Sequence, residues 1–363
     1  MVEWKKLNTV CEVINGRAYK QQELLANGKY RVLRVGNFFS NDSWYYSDLE
    51  LDDKYYCQKG DLLYAWSASF GPHIWNEEKT IYHYHIWKMN CFEELDKKFM
   101  FYWLQSEGMR KQAFSHLHGA TMAHLTKVIM ESLSVPLLPL SEQNRIVCIL
   151  DTFTDSIENL KEQIEQRKKQ YEYYCDQLLF SNDLNAIASD VSSFAKGRIS
   201  AEGLNASNYV SVENLLKDKA GKTVSSVVPT EGNWLLYQEN DILIGNIRPY
   251  LRKIWFADVC GGTNGDVLVI RPNEKVIPRF LYSVFSSERF FNYYNQTAKG
   301  GKMPRGEKKR ALQFDFYLPS IEEQSRIVAI LDKFEASIAN LEQQLAQRQK
   351  QYEYYRNKLL TFE

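Results

Sequence analysis

The sequence predicts an α/β (α+β) protein made of two tandem copies of one domain, each copy followed by a long helix. Three observations carry this reading. The chain repeats itself at about half its 363 residues. The best-matched part of the repeat has apolar residues at alternating steps of three and four, the helical period. The parts between carry short apolar runs bounded by Gly, Asn and Asp, the mark of strands closed by turns.

The repeat sets the domain organisation. Glu142-Gln-Asn-Arg-Ile-Val-Cys-Ile-Leu-Asp151 returns as Glu323-Gln-Ser-Arg-Ile-Val-Ala-Ile-Leu-Asp332, and Lys169-Gln-Tyr-Glu-Tyr-Tyr174 returns as Lys350-Gln-Tyr-Glu-Tyr-Tyr355. From Glu142 to Leu179, 24 of 38 positions match at an offset of 181 residues, which chance does not produce. Fainter echoes occur at nearly the same shift: Gly16-Arg17 with Gly197-Arg198, Asp61-Leu-Leu-Tyr64 with Asp241-Ile-Leu-Ile244, and Gly119 and Met122 with Gly300 and Met303. The expected segments are a first domain over 1–141, a central long helix over 142–181, a second domain over 182–322 and a C-terminal long helix over 323–363.

Each helix is read from its seam. In the first, Ile146, Leu150, Phe153, Ile157, Leu160, Ile164, Tyr171, Tyr174 and Leu178 lie on one stripe interrupted at Arg167; in the second, Ile327, Leu331, Phe334, Ile338, Leu341, Leu345, Tyr352, Tyr355 and Leu359 do so, interrupted at Arg348. At ~1.5 Å per residue each spans on the order of 55 Å. A helix with that seam exposed is not stable alone, so each needs a partner. Pro139 and Pro319 lie just upstream, and Ser141 is a candidate cap for the first helix.

Within the domains, Tyr30–Val35, Asp61–Trp66, Asp241–Ile244 and Asp266–Ile270 read as strands, and Phe99–Leu104 and Arg279–Phe285 as helices in matching places. Composition is that of a globular protein, with 44% apolar and 25% charged residues. No apolar run approaches the ~18 residues of a membrane span, and Met1-Val-Glu-Trp-Lys-Lys6 is not followed by a signal-peptide core. The expected location is cytoplasmic. The six cysteines have no close pairing, which suits reduced thiols.

Residue types that carry catalysis are missing in pattern. There is no Asn/Asp-Pro-Pro-aromatic motif and no Gly-x-Gly-x-x-Gly turn after a strand, so the chain does not read as a methyltransferase. Glu77-Glu-Lys79 and Glu274-Lys275 read as solvated turns rather than a nuclease centre. No catalytic residue is assigned. All six histidines fall between His73 and His124 with no cysteine or carboxylate at ligand spacing, so packing or surface roles are expected, with no metal and no cofactor.

At this point the residues match a family. The pattern of a variable domain, Leu-Pro, Glu-Gln-x-Arg-Ile-Val and a long helix occurs twice, with Leu138-Pro139 before Glu142-Gln143 and Leu318-Pro319 before Glu323-Gln324. It resembles the specificity subunits of type I restriction–modification enzymes over the whole chain. The resemblance implies two target recognition domains joined by two antiparallel coiled-coil helices with pseudo-two-fold symmetry. It also implies double-stranded DNA as ligand, two methyltransferase (modification) subunits as partners, and restriction subunits in the full complex. Each domain would read one half-site while the helices fix the distance between them. A protein-binding helical scaffold is the alternative, one that a net charge of zero also suits.

Antiparallel pairing over the full seam sets Glu162 opposite Gln343, Arg167 near Ile338 and Arg348 near Ile157. Arg167 is then expected beside Glu335, and Arg348 beside Asp155 or Glu158.

Net neutrality means that DNA-binding charge must be local. The run Lys299-Gly-Gly-Lys-Met-Pro-Arg-Gly-Glu-Lys-Lys-Arg310 has six positive residues and one negative. It puts forward Lys299, Lys302, Arg305, Lys308 and Arg310 as DNA contacts, against the plain reading of a solvated face. Its counterpart, Ser115 to Lys127, contributes His116, His118 and Lys127. A second pair of segments after equivalent strands, Trp66 to His73 and Asn246 to Lys253, contributes Ser67, Ser69, His73, Arg248 and Arg252, residues able to bond base edges or merely to build a turn. Arg17 and Arg198, each after a glycine, are candidate phosphate contacts. Tyr173 and Tyr354 lie off the helical seam and are candidates for a partner interface.

Overall fold

The repeated Glu-Gln element opens two helices, Leu140–Phe180 and Ile321–Leu359, in a computed structural model that describes every residue except 1, 40, 68, 115–124, 182 and 363, and the side chain of Phe114. The first helix starts one residue before Ser141, so that serine is not its cap. The Pro139 carbonyl instead accepts from the amides of Glu142 (2.9 Å) and Gln143 (3.0 Å), two of the donors a helix start leaves open. The second helix is capped by side chain, the Ser320 hydroxyl accepting from the Glu323 amide at 3.4 Å. Among the described residues no helix is long and apolar enough to cross a membrane.

The chain divides into two compact units, Met1–Leu160 with Gln344–Glu363, and Lys161–Gln343. Both have the same plan. In the first, Cys11–Asn15, Ile86–Cys91, Leu62–Ser67 and Ser69–Ile74 form an antiparallel sheet in that order; in the second the sheet is Ser192–Phe194, Val267–Pro272, Ile242–Gly245 and Ile254–Phe256. A second sheet in each shares a three-stranded centre. Tyr30–Leu33 pairs parallel with Thr80–Tyr82, which pairs antiparallel with Tyr56–Cys57; the equivalents are Tyr209–Val210, Gly261–Thr263 and Asn233–Tyr237. The edges differ. Tyr45–Ser47 joins one side of this centre in the first unit, and Arg198–Ser200 joins the other side in the second. All four expected strands agree to within two residues, Tyr30–Leu33 being the one that falls short at its end. Val35 then opens a short helix to Phe39.

Each core takes in the start of one long helix and the end of the other. Leu62, Trp87, Phe99 and Trp103 pack with Ile146 and Leu150, and with Leu360 just past the end of the C-terminal helix. In the second unit Ile242, Leu268, Phe280 and Phe285 pack with Ile327 and Leu331, and with Leu179 and Phe180 from the end of the central helix. Within each unit the two helical segments are therefore antiparallel. Cross-helix pairs agree, since numbering rises on one helix as it falls on the other: Tyr171 donates to Glu335 at 2.8 Å, Lys168 pairs with Glu342 at 2.7 Å, and the Phe153 and Tyr355 rings stack at 5.3 Å.

The two seam arginines behave alike, each lying on a ring of the other helix. Arg167 lies over the Phe334 ring and Arg348 over Phe153, both at 5.8 Å. Glu335, the expected partner of Arg167, is taken by Tyr171 and by Arg279. A phenylalanine four residues ahead of the nearest seam isoleucine offers an apolar face for the guanidinium stem and plane, which a carboxylate on the rim does not.

One residue of the repeated signature ties helix to domain. Gln143 is fully buried: its Nε2 donates to the carbonyls of Leu138 (2.8 Å) and Glu94 (2.9 Å), and its Oε1 accepts from the Asp96 amide at 2.8 Å. Gln324 does the same with the Pro319 carbonyl (2.9 Å) and the Ile277 amide (2.8 Å). The backbone it holds leads directly into the domain helices Lys97–Trp103 and Pro278–Ser286. From these, Lys98 and Tyr102 reach Asp151, and Arg279 reaches Asp332. Removing one carboxamide strands two or three buried backbone groups at ~1–3 kcal/mol each before relaxation. Gln143→Ala should destabilise the first unit by about 2–4 kcal/mol, seen as faster hydrogen exchange at Asp96 with Ile277 unchanged; Gln324→Ala should show the reverse. Unaltered exchange at both amides would mean the glutamines do not hold these junctions.

Candidate nucleic-acid interface

Strand Ile242–Gly245 delivers the chain into Asn246, which is buried and anchors the loop beyond it. Its amide donates to the Asp266 carbonyl at 2.9 Å, its side-chain oxygen accepts from the Tyr294 hydroxyl, and its carbonyl accepts from the Gly306 amide at 3.2 Å. Next along, Ile247 bridges to Arg305, and the Arg248 amide donates to the Pro304 carbonyl at 2.7 Å. The basic run is folded on itself by the reciprocal Lys299 and Arg305 backbone bonds at 3.0 Å. Position 306 has to be glycine, because a Cβ there would lie 2.3 Å from the Tyr294 ring. The structure thus brings two segments distant in sequence, 246–253 and 299–310, onto one surface.

Its charges are not equally available. Arg305 is paired with Asp266 at 3.0 Å, and this carboxylate raises the arginine further above its usual range. The Lys308 ammonium donates to the Gly265 carbonyl at 2.6 Å, Lys299 stands 3.9 Å from Glu307, and Arg310 donates to Gln313 at 3.3 Å. Arg252 is bound to Asp218 and, at 2.9 Å, to Glu288, so it braces the fold. Lys302 and Arg248 have no side-chain hydrogen bond or ion pair among the described residues. Beside them Tyr250 and Met303 are 52% and 49% exposed. Arg198 is exposed on the edge strand Arg198–Ser200.

The first unit presents different chemistry after the equivalent strand. Leu62–Ser67 and Ser69–Ile74 form a hairpin in which Ser67 faces Ser69, where the sequence suggested a turn. Ser67 is buried and Ser69 exposed. His73 lies flat on Phe38, the rings 4.0 Å apart, with Phe39 edge-on at 5.2 Å. His83 sits 4.5 Å from the Tyr84 ring and 4.9 Å from His85, and Trp66 donates to the Tyr84 carbonyl at 2.9 Å. Phe39 in the first of these ring groups and Tyr84 in the second are exposed. Arg17 is held by both Glu23 oxygens at 2.8 and 2.9 Å, and Lys127 by Glu131 at 3.5 Å. His116 and His118 lie outside the described residues. Sequence reasoning missed Phe38, Phe39, Asn246, Asp266 and Tyr294, because each acts through a partner far away in the chain.

Tyr173 and Tyr354, 61% and 59% exposed, each stand edge-on to the next tyrosine, at 5.5 and 5.2 Å. Those neighbours, Tyr174 and Tyr355, pack on Phe334 and Phe153 yet stay exposed over about two fifths of their surface. Sequence reading gave Tyr174 and Tyr355 to the seam alone.

One topology used twice, with unlike side chains set on the same framework, is the plan of a tandem recognition protein. The chain belongs to the family of the type I restriction modification DNA specificity domain, whose model matches residues 1–167 and 189–348. It is 27% identical over 290 residues to the specificity subunit of the type I restriction enzyme EcoR124I/EcoR124II of Escherichia coli, spanning 73% of this chain and 70% of that one. A putative type I restriction enzyme specificity subunit of Haemophilus influenzae is 26% identical and spans 99% and 96% of the two chains. The fold is that of the S subunit of the type I restriction-modification system from M. genitalium, with a TM-score of 0.59 at 17% identity over 100% and 97% of the two chains. A chain solved for complex assembly and conformational transition of the type I R-M system gives 0.63 at 15% identity over 99% and 96%.

Burial holds the His73 and His83 imidazoles down at about 4, against 6.5 when free. Between those values the unfolded chain binds protons that the folded one does not, so the first unit loses stability as pH falls from about 6.5 towards about 4 and keeps it above. Melting at pH 5 should come below melting at pH 7, and His73→Phe should shrink the gap by roughly 2–4 °C, about 1 kcal/mol in a domain of this size. Equal gaps in the two proteins would show that His73 does not contribute.

Proposed function

We propose that the chain is the sequence-reading subunit of a type I restriction–modification complex and has no catalysis of its own. Segments 1–141 and 182–322 are the two target recognition domains, each reading one half of a bipartite duplex site. The observation that carries this reading is the pairing of one framework with two unlike surfaces, aromatic and imidazole-bearing after the strand of the first domain, cationic after that of the second. Proteins that read different half-sites need that combination, because phosphate contacts set position whereas base-edge contacts set sequence. Lys302, together with Lys299, Lys308 and Arg305, supplies positive charge where a net-neutral chain must concentrate it. The paired tyrosines at 173–174 and 354–355, equivalent on the two helices, are suited to docking two copies of a methyltransferase subunit, with restriction subunits joining the assembly. Such a complex works where the chromosome is, in the cytoplasm.

Sequencing the methylome of cells with and without this chain beside its methyltransferase should return one bipartite motif only when the chain is present. In binding assays of the assembled complex, replacing Lys302, Arg305 and Lys308 by alanine should weaken affinity at least tenfold and flatten the salt dependence by about 0.9 for each phosphate no longer neutralised. Binding with no sequence selection and no salt slope would leave a protein scaffold instead.

The helices set the spacer in this reading. Inserting one heptad into both, near residues 161 and 343, preserves the seam and adds ~10 Å. The half-sites should then stay the same while the spacer changes by roughly three base pairs at ~3.4 Å each. A folded, active variant that methylates the original motif with its original spacer would show that the helices do not set the distance.

A further inference from the structure

Two arginines of the loop after strand Ile242–Gly245 have left-handed backbone, Arg248 at φ 52° and Arg252 at φ 50°. For a residue with a Cβ this conformation crowds the side chain against its own backbone, and the residue before a proline is restricted further; Pro249 follows Arg248. Strain of this kind persists only where the surroundings enforce it. For Arg252 the return is visible in its ion pairs with Asp218 and Glu288, which tie the loop to the body of the unit.

Arg248 is enforced just as firmly but has no such return. Its amide is held by the Pro304 carbonyl, its carbonyl accepts from the Leu251 amide at 2.9 Å, Pro249 is buried and Ile247 is bridged to Arg305. Its side chain makes no hydrogen bond or ion pair among the described residues, and its Nε is buried with no partner. A buried N–H left unmade is costly, the more so on a charged group. The loop therefore fixes a guanidinium whose terminal nitrogens have no partner among the described residues.

We infer that Arg248 is a specificity-determining residue of the second recognition domain and reads a guanine in its half-site. The inference rests on the DNA-reading function proposed above. A planar fork of donors matches a pair of acceptors, and in the major groove the guanine O6 and N7 edge offers such a pair. Phosphate has the same acceptor chemistry, but here lysines are available for it: Lys302 and Lys309 are exposed on the same segment. The exposed neighbours of Arg248, Tyr250 and Met303, suit the floor of a groove better than a backbone. A left-handed, proline-locked backbone also keeps the fork from following a mobile phosphate, and rigidity is what base discrimination requires.

The test uses the complete modification complex carrying the normal chain, Arg248→Ala or Arg248→Lys. Each is measured by methylome and by binding to duplexes in which every motif position is changed in turn. With the normal chain, one G·C pair of the second half-site should be preferred by roughly tenfold or more. Both variants should lose most of that preference while the other half-site stays unchanged, and Arg248→Lys, which keeps the charge, should keep the overall affinity. An unchanged motif with unchanged discrimination at every position overturns the inference. So does a uniform loss across all sequences with a salt slope lower by about 1, the mark of a phosphate contact. If Arg248→Ala fails to assemble, Arg248→Lys decides. A normal complex with no motif at all would instead sink the DNA-reading function, and this inference with it.

Discussion

A fully buried carboxamide can be placed in an apolar junction only if the backbone around it supplies partners, and that condition organises both halves of this protein. Gln143 and Gln324 meet it by accepting from an amide at the entrance of a domain helix and donating to a carbonyl at the end of the preceding strand segment. The long helix, the strand leading into it and the first domain helix are thereby set at one point. Asp151 and Asp332 add a second point two turns later, bonded to Lys98 and Tyr102 in one unit and to Arg279 in the other. Within each unit, two fixed points set the direction of the helix segment that belongs to it.

With the framework so held, the loops are free to differ. The two units share the order and direction of the first sheet and the centre of the second, yet they add their edge strands on opposite sides. Edge strands and the loops beyond them contribute little to the core, so their side chains can change without unfolding the unit. The first surface is built from stacked rings with imidazoles held neutral, and the second from lysines and arginines partly cancelled by Asp266, Asp218 and Glu288. Cancelling most of the charge leaves a few cations to act specifically, which suits a reader of sequence better than a uniformly basic face.

The helical seams show how duplication constrains chemistry. Because Phe153 and Arg167 recur as Phe334 and Arg348, antiparallel pairing puts each arginine over the phenylalanine of the other helix, at the same 5.8 Å both times. An arginine in a heptad seam is costly if its stem stays in water and its plane meets aliphatic groups; against a ring it is accommodated. On spacing alone a carboxylate is the expected partner. Spacing does not reveal that Arg279, from another element, also claims Glu335.

The tandem repeat, the two long helices, their seams and the alternation of strand and helix are legible from residue order, since periodicity and self-similarity are local or one-dimensional properties. The basic run is legible too, as composition. Residue order does not contain which cations are already paired: Arg17 with Glu23, Arg252 with Asp218 and Glu288, and Arg305 with Asp266 look the same in a sequence as Arg248, which is not. Nor does it show that 246–253 and 299–310 form one surface, or that His73 is stacked away under Phe38. Architecture and the number of reading surfaces thus come from residue order, because both depend on the pattern of apolar residues and its repetition. Which side chains remain available on each surface is settled only by folding, because Arg252 and Arg305 are neutralised by partners that lie tens of residues away and meet them only in the folded chain.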